Sequence, residues 1–282
     1  VTPLVAVPNV SEGRDVRVIN EIAGALDAQL LDIHSDPDHH RSVFTVAAEP
    51  GRLAQAVLAG ARNAIGHIDM SAHEGIHPRV GAVDVAPIVY LSDGDRGAAC
   101  AEALVLADLL GHELELPVFL YGELAGSRSR AELRRGGPAN LATRLEHQEL
   151  IPDFGPPRLH PTAGAVLVAA RPPLVAFNME LAAPATVDDA RAIANAIREN
   201  GTEGLKGVRA IGLWLSSRKV AQVSTNVEDP LATTLADVVT AIRRHAPISR
   251  AELVGLAPRA AFEGFPDDVP VSNKRLVEEL LA

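Results

Sequence analysis

The stretch His73-Glu-Gly-Ile-His-Pro-Arg-Val-Gly-Ala-Val-Asp84 brings an imidazole, a guanidinium and a carboxylate close together along the chain. His77 belongs to the side-chain type whose ordinary pKa lets it take and give a proton near neutral pH. Arg79 could hold a carboxylate through two parallel hydrogen bonds, and Asp84 could orient or charge-balance either group. Gly75, Pro78 and Gly81 interrupt regular structure around them, and positioned loops carry catalytic groups disproportionately. A second polar run, His34-Ser-Asp-Pro-Asp-His-His-Arg41, widens the options. His34, Asp36, Asp38, His39 and His40, with His73 and His77, have the donor atoms for zinc or another divalent ion. The spacing of His73 and His77 would pair them on a helix. Residues 73–77 do spell His-Glu-x-x-His, but that zinc pattern works only on a helix, and Gly75 and Pro78 oppose a helix there. Proton transfer with anion clamping therefore ranks above metal-dependent hydrolysis, and no metal is expected.

Those groups need a scaffold, and 282 residues with 47% hydrophobic content can bury a substantial core in one or two domains. Aromatics make up only 3%, so Ala, Val, Leu and Ile must do the packing. One cysteine, Cys100, rules out an internal disulfide and a multi-cysteine zinc site. A net charge of -10 argues against a nucleic-acid surface as the main role. Anionic small molecules remain plausible ligands, because screening limits the reach of the net charge. The opening residues lack the basic region and long apolar core of a signal peptide. No apolar run reaches membrane-spanning length, and the cytoplasm is the expected location.

Strands and helices alternate at short spacing. Strands are expected at 4–7, 30–34, 42–48, 82–91 and 118–121, with helices through about Leu26, at 52–68 and at 98–110. Residues 123–160, rich in Ser, Arg, Gly and Pro and carrying the basic pair Arg134-Arg135, read as surface helices and a connecting loop. Further on, strands are expected at 166–170, 175–179, 210–215, 220–224 and 251–256. Helices are expected at 186–199, capped by Thr186 with Asp188 and Asp189 in the first turn, and at 231–244. Both halves thus read strand–helix–strand–strand–helix–strand. The economical architecture is α+β, two lobes whose sheets are each covered by helices on one face, with a ligand cleft between them as the default site.

Seven segments occur in a telling order: Val7-Pro-Asn-Val-Ser-Glu-Gly13, His77-Pro-Arg-Val-Gly-Ala-Val-Asp84, Tyr121-Gly-Glu123, Pro152-Asp-Phe-Gly-Pro156, Ala176-Phe-Asn178, Gln222-Val-Ser-Thr-Asn226 and Glu252-Leu-Val-Gly-Leu256. Together they resemble the formiminotransferase domain of glutamate formiminotransferase over nearly the whole chain. The resemblance implies two duplicated ferredoxin-like βαββαβ lobes, an N-terminal lobe at 1–172 and a C-terminal lobe at 173–282, with a folate tunnel between them. It also implies a homodimer and transfer of a formimino group from formiminoglutamate to tetrahydrofolate, a co-substrate in one-carbon metabolism and histidine degradation. In animals the domain is fused to a cyclodeaminase, and no such second domain is expected in this sequence. A formyl donor, another formimino donor and a non-enzymatic folate-binding protein are the alternatives.

By position, His77 matches the family's catalytic histidine. It would take the proton released by the attacking folate nitrogen and return one to the departing glutamate nitrogen, worth roughly 10²–10⁴-fold in rate. Arg41 lies in a stretch that matches a family motif containing an arginine, and it or Arg79 could clamp a substrate carboxylate. Asn9, Asn178 and Asn226, placed at strand ends, could hydrogen-bond substrate amides, and His34, His40 and Asp84 complete the substrate set. The folate-contacting stretch maps onto Gly155, Pro156, Pro157, Arg158, Leu159, His160, Pro161, Thr162, Ala163 and Gly164. Ala163 stands where the family pattern has Trp, which removes a ring from the expected pocket wall, and His160 is the candidate to stack in its place. Ile76 replaces a Glu, and His34 and His40 replace an Asp and an Asn. Ser11-Glu-Gly13 opens a helix whose free N–H groups could receive an anion.

Overall fold

The computed structural model describes residues 3–126 and 128–281. The chain divides into two compact units, Val1–Pro172 and Pro173–Ala282. Among the described residues the first unit runs β1 (Leu4–Ala6), β2 (Asn9–Val10), α1 (Val16–Ala25), β3 (Gln29–Asp36), β4 (Arg41–Ala48), α2 (Leu53–His67) and β5 (Val83–Val89). It continues with α3 (Arg96–Glu113), β6 (Val118–Leu120), α4 (Arg130–Arg134), α5 (Gly137–Glu146) and β7 (Val166–Arg171). Pro8 lies between β1 and β2, and both pieces pair with β4 on one side and β5 on the other. They act as one interrupted strand, because Pro lacks the N–H a continuous central strand needs. Beyond β4 lies β3, giving the βαββαβ connectivity. The expected strands and helices of this half are present, with ends shifted by a few residues.

Two features were not foreseen. β7 and β6 extend the sheet past β5, both in parallel register. The sheet is also covered on both faces there. Val118, Leu120, Val166, Val168 and Ala170 face the large core under α1, α2 and α3, whereas Phe119, Leu167 and Ala169 pack with Leu133, Leu141 and Leu145 of α4 and α5. Parallel strands buried on two faces read as continuous apolar runs, which is why helices on one face only was the wrong expectation for this unit. The segment 123–160 is therefore in part a second covering layer, anchored by the fully buried Leu133 and Leu141.

The second unit repeats the connectivity with β8 (Val175–Leu181), α6 (Val187–Ile197), β9 (Val208–Leu215), β10 (Val220–Val227), α7 (Leu235–Arg243) and β11 (Ile248–Val254), followed by β12 (Val271–Ser272) and α8 (Val277–Leu280). Its sheet order is β12-β11-β8-β10-β9. Thr186 caps α6 in a reciprocal capping box with Asp189. The helix expected from 231 begins only at Leu235, where Thr234 forms the same box with Asp237. The preceding residues fold into a turn instead, since Asp229 Oδ1 accepts from the backbone N–H of Leu231 and Ala232 at 3.2 and 3.1 Å. The last strand ends at Val254 rather than 256, where Gly255 turns the chain at φ +74°. No helix among the described residues is long and apolar enough to cross a membrane.

Two buried devices fix the helices and strands that frame the His77 loop. No side chain of its own caps α2. Glu102 of α3, 6% exposed, supplies the carboxylate, accepting from Gly51 N at 2.5 Å and Ala54 N at 2.6 Å. Its charge also complements the positive end of the helix. Gly81 forms a bridge with Gly164, and a Cβ on it would fall 2.0 Å from the Ala165 carbonyl oxygen. Gly81→Ala should destabilise the first unit by roughly 1–3 kcal/mol through overpacking. Glu102→Ala should cost about 1–3 kcal/mol by leaving buried donors unpaired, and Glu102→Gln less. Urea unfolding of each variant against the parent checks both.

Candidate functional site

The site grows from the place where β2, β4 and β5 run side by side. Asn9 opens β2 with Val43 and Val85 as its Cα partners, Arg41 opens β4, and Asp84 is the second residue of β5. Gly13 lets the chain pass close to the turn joining β3 to β4, since a Cβ there would meet Asp36 O at 2.3 Å and Arg41 N at 2.5 Å. Asp36 Oδ1 shapes that turn by accepting from Asp38 N and His39 N, both at 2.8 Å. His40 follows in the left-handed region at φ 50°, its Nδ1 accepting from Gly13 N at 3.1 Å.

Asp84 is completely buried, and three donors converge on it. Arg41 Nη1 donates to Oδ2 at 2.5 Å, and Val80 N donates to Oδ1 at 2.8 Å. Arg134 forks across both oxygens, with Nη2 on Oδ2 and Nε 3.4 Å from Oδ1. The two arginine side chains are themselves only 11% and 13% exposed. Burial alone would push the Asp84 carboxyl up, but Arg134, then Arg41, hold it well below the usual carboxylate range. The rest of the Arg41 guanidinium goes to Asn9 Oδ1, from Nε at 3.0 Å and Nη2 at 2.7 Å. Arg41, expected as a substrate clamp, is thus engaged within the protein.

His77 sits at the rim of this network. Its Nδ1 lies 2.7 Å from the Pro78 carbonyl oxygen and 3.3 Å from Arg41 Nη1. A carbonyl can only accept, so Nδ1 carries the hydrogen and Nε2 keeps the lone pair. Burial, then the positive charges of Arg41 and Arg134, drive its pKa well below 6.5, with Asp84 opposing and His39 adding to the fall. The imidazole is therefore neutral at pH 7, with a basic nitrogen ready to take a proton. Arg79 supports the loop from within, donating to the carbonyls of Gly75 at 2.8 Å, His77 at 3.3 Å and His73 at 2.7 Å.

Other sequence candidates fall into different places. His34 lies on β3 opposite Val43 and is buried. His40 stacks on His73, with ring centroids 4.3 Å apart, and His39 lies 5.8 Å from His77. Burial first, then Arg79 and His40, take His73 down to about 4, and burial lowers His40 as well. Glu12 Oε1 accepts from Arg14 N and Asp15 N at 2.7 and 3.0 Å, so those N–H groups ahead of α1, expected as an anion seat, are already occupied. Among the described residues no group of three or more His, Cys, Asp and Glu is arranged to hold a metal ion. Asn178 and Asn226 belong to the second unit. Asn178 lies mid-strand in β8 opposite Ser224 and Glu252, rather than at a strand end, and Asn226 is the penultimate residue of β10.

The end of the stretch Gly155–Gly164 lies against the chain on either side of the His77 loop. Met70 N donates to Thr162 O at 2.7 Å, Ala82 N to Ala163 O at 2.8 Å, and Ala165 N to Val80 O at 3.0 Å. Gly155, at φ +79°, lies where a Cβ would fall 2.1 Å from Leu116 O. Pro157, Arg158, Pro161 and Thr162 are exposed, and Pro156 is half-buried. Leu159 packs on the core beneath α4 and α5. His160 closes its own turn, exchanging backbone bonds with Gly164 and accepting from Ala163 N at 3.0 Å through Nδ1. That bond ties the ring that was expected to stack in place of the missing Trp. Ala163 is 1% exposed and packs in the main core rather than on a pocket wall.

The sequence reading missed Arg134. A basic pair before Gly-Gly-Pro looks like a solvated face, and only the spacing of Arg130 and Arg134, one turn apart on a short helix, hinted that they act together. Arg130 lies 5.7 Å from the Tyr121 ring, from which it adds positive potential at Arg41.

Comparison with known proteins places this geometry in a family. Residues 4–171 match the formiminotransferase domain, N-terminal subdomain, and residues 176–264 match the formiminotransferase domain. Glutamate formimidoyltransferase of Streptococcus pyogenes is 36% identical over 268 residues, covering 91% of this chain and 89% of that protein. The protein of the same name from Thermoplasma acidophilum is 34% identical over 271 residues, covering 91% and 88%. Mouse formimidoyltransferase-cyclodeaminase is 38% identical over 277 residues. The chain spans 50% of that relative's length, as it does for the rat, pig and chicken proteins. With matched segments running through both compact units, the chain belongs to the formiminotransferase domain family.

Proposed function

We propose that this chain transfers a formimino group from formiminoglutamate to tetrahydrofolate, with His77 as the proton carrier, residues 1–172 as the N-terminal lobe and 173–282 as the C-terminal lobe. The names of the Streptococcus and Thermoplasma relatives support the reaction, because the chain covers most of each. The observation that carries the reading is a neutral His77 beside a network with one uncompensated positive charge. The attacking nitrogen must lose a proton, and His77 Nε2 is the base that can take it. The departing nitrogen must gain one, and the imidazolium so formed can supply it. The surplus charge of Arg41 and Arg134 over Asp84 favours a carboxylate-bearing donor near the imidazole. Asn9, His34, His40, Asn178, Asn226 and the stretch 155–164 apart from the core residue Ala163 are the proposed substrate and folate contacts, while Arg79 and Asp84 act by holding the loop. The family resemblance is the support for a homodimer.

Incubation with tetrahydrofolate and formiminoglutamate should release glutamate and yield a modified folate, and N-formylglutamate in place of the donor distinguishes a formyl transferase. His77→Gln and His77→Ala should lower turnover by roughly 10²–10⁴-fold with unchanged circular dichroism. Near-parental turnover in either variant would remove His77 from the chemistry.

The pH dependence follows from the lowered pKa of His77. Its basic form persists below the ordinary imidazole value, so the acid limb of kcat/KM should lie well under pH 6.5. A limb at or above pH 6.5 would contradict a half-buried, cation-flanked base.

A further inference from the structure

We propose that Arg134 is a positioning residue for this reaction: its guanidinium closes the Arg41–Asp84 pair into a three-group network that orients Asp84 and leaves one positive charge unbalanced beside His77. This rests on the reading of His77 as the proton carrier. The geometry is built for it. Arg134 spans both carboxylate oxygens of Asp84, while Arg41 takes Oδ2 alone and turns its other nitrogens to Asn9. One carboxylate needs one cation, yet two nearly buried arginines meet on it. Taking two guanidinium groups out of water is costly, so a second cation at this point calls for a purpose beyond neutrality.

The helix that delivers Arg134 is fixed on three sides. Ser129 Oγ caps α4 by accepting from Glu132 N at 3.2 Å. Arg144 Nη1 donates to the Glu132 carbonyl at 3.1 Å, and Leu133 is fully buried in the core beside Val80 and Val85. Asp84 Oδ1 also takes the Val80 N–H, so the orientation Arg134 gives the carboxylate passes to the loop that holds His77. Arg134 does not itself contact the His77 ring through any hydrogen bond among the described residues.

The charged and titratable groups around His77 come from every neighbouring element. They are Arg41 and Asp84 on the strands, Arg134 and Arg130 on α4, His39 and His40 at the β3–β4 turn, Glu12 between β2 and α1, and His73 and Arg79 on its own loop. Arg134 is the member whose removal leaves the remaining buried ions, Arg41 and Asp84, as a balanced pair. Arg134→Gln should therefore cancel the surplus charge without stranding Asp84. Its loss is expected to show as a rise in the His77 titration midpoint and a matching upward move of the acid limb of kcat/KM.

The test is an NMR titration of imidazole carbon-bound protons, with the His77 signal identified by its absence in His77→Gln. It needs no substrate, so its outcome is separate from whether formimino transfer occurs. Arg134→Gln should raise the His77 midpoint, and Arg134→Lys, which keeps the charge, should leave it near the parental value. The double variant Asp84→Asn/Arg134→Gln removes one charge of each sign and restores the surplus carried by Arg41. It should return the midpoint to the parental range, and it serves if Arg134→Gln alone does not fold. An unchanged midpoint in Arg134→Gln, equal shifts in the Gln and Lys variants, or a double variant displaced from the parent would each overturn the proposal.

Discussion

A completely buried carboxylate is the constraint around which the first unit is arranged. Asp84 cannot remain ionised inside β5 unless positive charge and hydrogen-bond donors surround it. Arg41 arrives from the adjacent strand, Arg134 from a short helix far along the chain, and Val80 N from the loop just before the strand. Each donor comes from a different element, so satisfying one carboxylate ties the β4 end, the α4 layer and the His77 loop together. Breaking such a set by removing one partner typically costs about 3–5 kcal/mol, more than a surface ion pair contributes. Chemistry and architecture share the same atoms, because the cations that keep Asp84 charged also keep His77 neutral.

Close backbone approach makes that arrangement possible. Gly13 allows the segment after β2 to lie against the β3–β4 turn, and Gly81 allows the His77 loop to lie against residues 163–165. At both positions the backbone itself fills the space a Cβ would need, so no rotamer change could relieve the collision. Gly75 belongs to the same design, with His39 O 2.9 Å from where its Cβ would stand. The polar residues of the loop are consequently held by backbone geometry and by Arg79, and they do not depend on a bound ligand for their placement.

Much of this was readable from the sequence, and the reasons differ by residue. Helix α6 announced itself through Thr186 as its cap with Asp188 and Asp189 in the first turn, a local signal that the structure reproduces directly. Short apolar runs bounded by turn residues located the strands, and His77 and Asp84 were grouped by the one motif that carries both. What escaped depends on contacts distant in sequence. Glu102 looks like an exposed charge in an Ala- and Leu-rich helix, and only the packing of α2 on α3 turns it into a cap. Arg134 looks like half of a surface pair, and only the fold brings it to Asp84. Arg41 and Arg79 were expected to face substrate because arginine suits carboxylates; the structure spends both on the protein itself, one on Asp84 and Asn9, the other on three carbonyls. Ala163 shows the converse, a position taken for a pocket wall that packs in the core.

The Val80 amide reports most directly on whether Asp84 organises the site, because its hydrogen bond ends on the buried carboxylate. Amide hydrogen exchange in the parent and in Asp84→Ala reads that bond at one residue. Loss of a hydrogen bond to a charged group should lower Val80 protection by about tenfold or more. The amides of β10 in the second unit, paired with β8 and β9, should keep their parental rates. Val80 protection equal to the parent in a folded Asp84→Ala variant would contradict a site held together by this carboxylate.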